Sequence, residues 1–308
     1  MNILKYSIFF SILFLVSLAF PIEKQPRFIL IGDSTMAPKQ DKSRPEMGWG
    51  EALKFYLNES TEIINLAKNG RSTQSFISSG EFEAMTKLLQ SDDFVLIQYG
   101  HNDAKVNDPS RYAAAESLYK KNLETIIKSV QNKKAIPVLM TSVVRRKFDS
   151  NGQLIHTHGN YLQAVKDVAQ KNSVLLLDME MATRELVTAL GPNHSKKLFL
   201  QLPSKAHPNY IEGVKDDTHF SSFGANEVAK SFIKLALNTS LKIEEYLKKS
   251  EFGDVYEYKL PTIYTPNFRQ DTLYITDYGA KQGVENIVTH AIQNAIDSAH
   301  HRGGGVVV

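Results

Sequence analysis

The chain has 308 residues, of which 42% are hydrophobic and 22% charged, a balance that excludes a disordered protein and predicts one complete domain plus a smaller part. The formal net charge is only +3, so the charge does not indicate a nucleic-acid or membrane-surface partner. The absence of cysteine excludes disulfides, thiolate metal sites and a cysteine nucleophile.

The first 19 residues have the pattern of a cleaved signal peptide. Lys5 precedes an apolar run from Ile8 to Phe20, and the small residues Ser17 and Ala19 occupy positions typical of a signal-peptidase site. The run is shorter than the roughly 20 apolar residues that cross a bilayer, which disfavours the alternative of a retained membrane anchor. We therefore expect a secreted, periplasmic or extracellular protein with no membrane contact after cleavage.

From Pro26 onward, short apolar runs alternate with segments of helical period. This alternation predicts an α/β fold in which helices cover a parallel sheet. A helical period is found at residues 111–130, 161–169 and 222–237. In the first of these segments, Leu118 belongs to the predicted apolar face. The five predicted strands are Phe28–Ile31, Ile63–Leu66, Phe94–Gln98, Ile136–Met140 and Val174–Leu177.

The C-terminal part of the chain has a different character. Residues 241–272 are polar and aromatic and contain Pro261 and Pro266, which is typical of an interdomain linker. Residues 273–308 predict a strand at Leu273–Thr276, an amphipathic helix at Val288–Ser298 and a final strand of valines. A finished domain seldom stops inside a strand, so we expect a truncated second domain here.

Ser34 is the candidate nucleophile. It follows the first predicted strand, and open α/β sheets build their sites at the carboxyl ends of parallel strands. A serine in this position is more often a helix cap or a turn residue, so the assignment depends on its companions.

Asp216 and His219 are the candidate companions. They stand three residues apart just before the last predicted helix, where one short loop would present both side chains. An imidazole accepts a serine proton when a carboxylate holds its other nitrogen in the correct tautomer. A capping aspartate beside an incidental histidine is the simpler alternative. With Ser34, however, the pair favours nucleophilic acyl transfer.

Acyl transfer also needs hydrogen-bond donors for the developing oxyanion. Gly70 follows the second predicted strand, and its backbone N–H can approach a substrate closely. Asn102 follows the third strand and offers a side-chain amide, and the backbone N–H of Ser34 would be the third donor. Taken singly, Gly70 is better explained as a turn glycine and Asn102 as an Asx turn.

These motifs, in this order, resemble the SGNH hydrolase superfamily and, more closely, the rhamnogalacturonan acetylesterases. The family's serine, glycine, asparagine and histidine fall on Ser34, Gly70, Asn102 and His219, and the resemblance covers about residues 26–240. It implies a flavodoxin-like three-layer α/β/α sandwich with a five-stranded parallel sheet. It also implies no metal or other cofactor, and acetate release from a pectic polysaccharide through an acyl-serine intermediate. The matching blocks are Gly32-Asp33-Ser34-Thr35-Met36, Gly48-Trp49-Gly50, Gly70-Arg71-Ser72, Gln98-Tyr99-Gly100-His101-Asn102-Asp103 and Asp217-Thr218-His219-Phe220.

Residues 273–308 resemble the start of the parallel β-helix of pectin-degrading polygalacturonases and pectate-lyase-like proteins. The usual aspartate-rich turn is replaced by Gln282-Gly283-Val284-Glu285, and no catalytic residue of that domain is present. The resemblance implies the esterase half of a bifunctional pectinase. Three alternatives stay open: a general lipase or thioesterase of the same superfamily, a non-catalytic carbohydrate-binding module, and a glycosidase or lyase in the tail.

Arg145 and Arg146 follow the fourth predicted strand. They would meet the carboxylates of galacturonate in an anionic substrate, although a solvent-facing basic turn is an equal alternative.

Several polar residues of other loops receive weaker assignments. His156 and His158, together with Asp149, have the residue types of a metal site, but a solvated loop is the preferred interpretation. We expect His101 and Asp103 to organise the loop of Asn102.

Overall fold

A computed structural model describes residues 26–249, 271–281, 283 and 288–308. The chain divides into two compact units, 1–255 and 256–308. The predicted signal peptide lies outside the described residues, so it stays a prediction. Within the described ranges, no helix combines the length and the apolar character that a membrane span requires.

A five-stranded parallel sheet forms the centre of the first unit, with strand order β2-β1-β3-β4-β5. The predicted sheet is therefore confirmed, and the strand ends differ from the prediction by about one residue at most. This strand order is the one found in flavodoxin-like proteins. The strands are β1 Phe28–Gly32, β2 Ile63–Asn65, β3 Phe94–Gln98, β4 Ile136–Met140 and β5 Leu175–Leu177.

Both faces of the sheet are buried, which explains why its strands are nearly continuous apolar runs. Along β1, Phe28 and Leu30 face one hydrophobic cluster while Ile29 and Ile31 face the other. Helices α1 and α7 contribute to the first cluster, and helices α2 to α5 to the second. The helices are α1 Trp49–Leu53, α2 Thr73–Ser78, α3 Glu81–Leu88, α4 Lys120–Asn132, α5 Tyr161–Lys171, α6 Met179–His194 and α7 Ser222–Ala236.

Two helices depart from the regular α-helical pattern. The segment predicted as one helix over 111–130 begins with a π-helical turn at Ala115–Tyr119 and continues as α4. This change of pitch buries Tyr119 and leaves Leu118 36% exposed, so the predicted place of Leu118 in the apolar face is wrong. Helix α6 is kinked at Gly191, whose backbone is not helical and which precedes Pro192.

An antiparallel hairpin precedes α7, and the prediction of a plain loop there is wrong. Its strands are β6 Phe199–Leu202 and β7 Val214–Phe220. Lys215 pairs with Gln201 and Phe220 pairs with Phe199, so the residues from Asp216 to His219 lie opposite Leu200 alone. The strand bulges at this point, and such bulges re-aim side chains near functional sites.

The first unit also extends beyond the predicted domain end at residue 240. Leu241, Ile243, Tyr246 and Leu247 are buried in the same cluster as Phe28. The residues predicted as the start of a linker therefore belong to the core of this unit. Most of the remaining linker, residues 250–270, lies outside the described part of the chain.

The second unit contains a short parallel pair, β8 Thr272–Leu273 with β9 Val306–Val307, and helix α8 Thr289–His301. Ala291, Ala295 and Ala299 form the buried face of α8. The elements follow the predicted order of strand, helix and strand. The resemblance of this unit to the start of a β-helix stays a prediction.

Candidate active site

The candidate site lies at the carboxyl edge of the sheet, beside the position where the strand order changes direction between β1 and β3. Ser34 follows β1, and Asn102 follows β3. A crevice forms at such switch points because the connections of the two neighbouring strands leave on opposite sides of the sheet. An open pocket there is lined by Ser34, Gly70, Asn102, Asp216 and His219, among other residues.

The structure brings Ser34, His219 and Asp216 together in one hydrogen-bonded row. His219 Nε2 lies 2.8 Å from Ser34 Oγ, and His219 Nδ1 lies 2.7 Å from Asp216 Oδ2. With Nδ1 protonated toward the carboxylate, Nε2 is free to accept the serine proton. The arrangement has the geometry required to convert a hydroxyl into a nucleophile.

Asp216 is held as a carboxylate. Burial alone would favour its neutral form, but several hydrogen bonds oppose this effect: its side chain accepts from His219 Nδ1 and from the backbone N–H groups of Thr218 and His219. These contacts lower the pKa of Asp216 to about 2. Both N–H groups lie in the bulged part of β7 and donate to Asp216 Oδ1.

The three predicted oxyanion donors lie in or beside the same pocket. The backbone N–H groups of Ser34 and Gly70 donate to no atom of the described chain. Asn102 is 4% exposed, and its Nδ2 donates to the carbonyl of Arg71 at 2.9 Å. That bond fixes the orientation of the amide and leaves its second N–H available. The pocket beside Ser34 thus contains three N–H groups that a carbonyl oxygen could accept from.

Gly70 has a conformation that suits glycine. Its φ of 76° is in the left-handed region, which a side chain disfavours. A Cβ atom added there would lie 3.4 Å from both Cζ and Nη1 of Arg111 and 3.5 Å from its Nη2. These are ordinary van der Waals distances, so the positive φ, and not the space beside Arg111, is what favours glycine here.

A buried lysine connects the loops around Ser34. The Lys39 side chain is 1% exposed, and its Nζ lies 2.7 Å from Glu46 Oε1. The same Nζ donates to the Ser34 carbonyl at 2.7 Å and to Asn69 Oδ1 at 2.8 Å. Lys39 therefore holds both loops that carry backbone oxyanion donors, and neither Lys39 nor Glu46 was among the residues predicted from sequence.

The base of the nucleophile loop is a buried polar network. Asp33 Oδ1 accepts from the N–H and the hydroxyl of Thr35, and Thr35 Oγ1 accepts from Gln98 at 2.8 Å. Gln98 Oε1 in turn accepts from Trp49 Nε1 at 2.9 Å. Complete burial raises the pKa of Asp33 despite these bonds. The network ties the loop of Ser34 to β3 and α1.

His101 and His158 form a buried pair beside the pocket. His158 Nε2 lies 3.3 Å from His101 Nδ1, and the two residues are 2% and 4% exposed respectively. Burial lowers the pKa of His101 well below its usual range and that of His158 to about 2, so both rings are neutral. The prediction of a solvated loop is therefore wrong for His158. It holds for His156, whose side chain is 70% exposed.

The structure gives no support for a metal at these histidines: among the described residues, no group of three potential ligands is close enough to hold one. Asp103, predicted to organise the asparagine loop, accepts from the N–H and the hydroxyl of Thr73. Burial raises the pKa of Asp103 to about 7 even though these bonds oppose it. Its role is thus to join the Asn102 loop to α2.

The two predicted substrate-binding arginines have different surroundings. Arg145 lines the pocket and donates to the carbonyls of His101 and Thr157. Arg146 does not line it. Its Nη1 donates to Asp217 Oδ1 at 2.7 Å and its Nε to Ser195 Oγ at 3.1 Å. The guanidinium of Arg146 is thus occupied in anchoring β7, and its predicted contact with substrate stays a prediction that the pocket does not support.

The SGNH class of hydrolases is defined by this strand order and by four residues at one edge of the sheet. A serine follows the first strand, and a glycine, an asparagine and a histidine are brought to the same edge. The chain belongs to the GDSL-like lipase/acylhydrolase family, whose profile matches residues 30–224.

Two Bacillus subtilis relatives agree with this assignment. The chain is 36% identical to rhamnogalacturonan acetylesterase RhgT over 230 residues, which cover 75% of this chain and 97% of the relative. It is 33% identical to the probable rhamnogalacturonan acetylesterase YesY, over 71% of this chain and 96% of the relative. Together with the family match, these relatives make the protein a carboxylic ester hydrolase.

A solved structure supports the fold. The Bacillus subtilis protein YxiM superposes with a TM-score of 0.58 at 22% identity, over 68% of this chain and 56% of that chain. The superposition shows the same α/β fold.

Proposed function

We propose that the protein is a secreted serine esterase that removes acetyl groups from a pectic polysaccharide, with rhamnogalacturonan as the preferred substrate. The observation that carries the proposal is the continuous row from Ser34 Oγ through His219 to Asp216, with contacts of 2.8 and 2.7 Å.

The first half of the reaction forms an acyl-enzyme. Ser34 Oγ attacks the acetyl carbonyl while its proton passes to His219 Nε2, and Asp216 stabilises the imidazolium. The negative charge on the carbonyl oxygen is held by the N–H groups of Ser34 and Gly70 and by the Asn102 amide. The bond to the sugar oxygen then breaks, His219 returns the proton to that oxygen, and the acetyl group remains on Ser34.

The second half releases acetate. Water gives a proton to His219 Nε2 and attacks the acetyl-Ser34 carbonyl, and the same donors hold the second oxyanion. The ester bond to Ser34 breaks, and the proton on His219 returns to Ser34 Oγ. No metal or other cofactor has a part in this scheme.

Two observations support the choice of an acidic polysaccharide. The relatives RhgT and YesY are both named as rhamnogalacturonan acetylesterases. Arg145 lines the pocket and has no carboxylate partner within ion-pair distance among the described residues. Burial lowers the pKa of Arg145, but an arginine stays charged under all physiological conditions, so it can meet a galacturonate carboxylate.

Substrate and mechanism are tested together by acetate release. Acetylated rhamnogalacturonan, acetylated xylan and acetylated homogalacturonan are compared, with Ser34→Ala as the blank and Ser91→Ala, an exposed serine, as the matched control. We expect the fastest release from rhamnogalacturonan, none with Ser34→Ala and full activity with Ser91→Ala. Retained activity in Ser34→Ala would overturn the mechanism. Equal release from all three polymers would leave a general acetylesterase, and a preference for long acyl chains would indicate a lipase or thioesterase.

A further inference from the structure

Two cations beside Ser34 have no part in the proposed acyl transfer. Lys105 and Arg111 line the pocket, and both belong to the segment between Asn102 and α4. Arg111 Nε lies 3.1 Å from Asp108 Oδ2, and the Arg111 side chain is 37% exposed. Its Nη1 and Nη2 donate to no atom of the described residues, although each carries two N–H groups. The outer edge of this guanidinium is therefore available to a ligand.

The Arg111 guanidinium faces Gly70. A Cβ built at Gly70 would be nearly equidistant from Cζ, Nη1 and Nη2, at 3.4 to 3.5 Å. A point at that distance from all three atoms lies over the flat face of the group and outside its plane. The flat face of the guanidinium is thus turned toward Gly70, and Arg111 and Gly70 line the same pocket.

The charges of the pocket do not balance in its free state. Glu46 has a cationic partner, Lys39, at 2.7 Å, whereas Asp216 contacts the resting imidazole of His219 at 2.7 Å and keeps its negative charge. The cations Lys105, Arg111 and Arg145 of the lining outnumber this carboxylate. Lys105 and Arg145 have no ion-pair partner within the described ranges, and Arg111 has only the partly exposed Asp108. An anionic ligand would therefore find net positive charge next to the nucleophile.

We propose that Arg111, assisted by Lys105, forms a carboxylate-binding subsite that holds a uronic acid carboxylate of the substrate near the acetyl group. The assignment rests on the proposed function of the same pocket. The planar edge of Arg111 matches a carboxylate with two parallel hydrogen bonds, and Lys105 adds a second charge. Binding the acid in this way positions the acetyl carbonyl against the donors of Ser34, Gly70 and Asn102.

The size of the effect follows from exposure. A charge-assisted pair at a partly exposed arginine is screened by solvent, so the contribution corresponds to about tenfold in kcat/KM. It should decrease as the salt concentration rises, because the Debye length falls from about 10 Å at 0.1 M to about 3 Å at 1 M.

The test compares two forms of one substrate. Acetylated rhamnogalacturonan oligosaccharide is used as the free acid and with its uronic carboxylates converted to methyl esters, and only released acetate is measured. We expect the protein to prefer the acid form by about tenfold in kcat/KM. Arg111→Gln should lower that ratio, mainly through a higher KM on the acid form, and Arg111→Lys should give an intermediate ratio; Arg145 remains in the pocket and keeps part of the preference.

Two control variants separate recognition from general effects. Lys87→Gln removes an exposed cation that does not line the pocket, and it should keep the preference. Asp108→Asn breaks the contact to Arg111 Nε but keeps the guanidinium, so the preference should persist or increase. If Arg111→Gln slows both substrate forms equally, Arg111 only supports the Gly70 loop and the subsite is refuted.

The two proposals fail in different ways. Equal acetate release from both forms by the unaltered protein would overturn the carboxylate subsite and leave the esterase in place. No acetate release from either form would overturn the proposed function itself.

Discussion

Replacing Lys39 by methionine tests the buried connection between the two donor loops. Methionine keeps most of the side-chain length and removes the ammonium group, which contacts Ser34 O, Asn69 Oδ1 and Glu46 Oε1 at 2.7 to 2.8 Å. Glu46 would then keep a charge that is 12% exposed and has lost its partner. Removing one member of a buried ion pair costs about 3–5 kcal/mol because the remaining charge is uncompensated.

We therefore expect Lys39→Met to lower the free energy of unfolding by about 3–5 kcal/mol. Urea unfolding, followed through the fluorescence of the buried Trp49, measures the change. The double variant Lys39→Met/Glu46→Gln removes both charges and should regain a substantial part of the loss. In folded Lys39→Met, kcat should fall more than KM changes, because the N–H groups of Ser34 and Gly70 are no longer fixed.

A loss of less than about 1 kcal/mol would refute this account of Lys39, since it would mean that the ion pair contributes no more than an exposed one. The same conclusion would follow if the double variant were less stable than the single one.

Three further predictions concern the surroundings of the site. Gly70→Ala should reduce kcat by about tenfold or more. The control Gly80→Ala has the same φ of 76° and no atom within 4 Å of its added Cβ, so it should lose similar stability and keep its kcat. Equal kcat values in the two variants would show that Gly70 is only a turn residue. Asp103 is neutral in the folded state up to its pKa of about 7 and ionises near pH 4 when unfolded, so its own contribution to stability should fall as the pH rises from about 4 to 7, by about 4 kcal/mol at most. The buried neutral His101 and His158 act in the opposite direction over this range, so the measurement is the difference in thermal unfolding between Asp103→Asn and the unaltered protein, which should shift in favour of the variant as the pH rises. Arg146→Gln should lower Tm by several degrees because β7 loses its anchor, and it should change KM little. Arg145→Gln should instead raise the KM for acidic substrates. A raised KM in Arg146→Gln would restore the predicted contact of Arg146 with substrate.

The sheet and the approximate position of the site follow from local sequence patterns. Parallel strands buried on both faces are continuous apolar runs, and this signal located β1 through β5. Ser34 and Asn102 could be placed because residues that follow parallel strands meet at one edge of the sheet. These inferences need no knowledge of which distant residues pack together.

The hairpin of β6 and β7 has no comparable signal. Its strand Val214–Phe220 contains a run of polar residues from Lys215 to His219 and is partly exposed, so it lacks the clear alternation of a half-buried strand. The buried residues from Leu241 to Leu247 are likewise interspersed with charged neighbours, a pattern that favours a linker. In both places, tertiary packing determines the structure.

The contacts of Lys39, His158 and Arg111 are beyond sequence reasoning for another reason. Lys39 meets Asn69, and His158 meets His101, across 30 and 57 positions of the chain respectively. Each residue alone has the character of a surface or loop residue. Only the meeting of several loops at the sheet edge buries Lys39 and His158 and orients Arg111 over Gly70.

Covalent labelling of the nucleophile tests the central claim most directly. The protein is incubated with a diethyl phosphate ester of 4-nitrophenol, and the modified peptide is identified by mass spectrometry. Ser34 attacks phosphorus, nitrophenolate leaves, and the diethylphosphoryl group stays on Oγ. The account predicts one adduct, at Ser34, that forms in step with the loss of esterase activity and is absent in His219→Ala. Loss of activity with Ser34 unmodified and the label on another residue would contradict it.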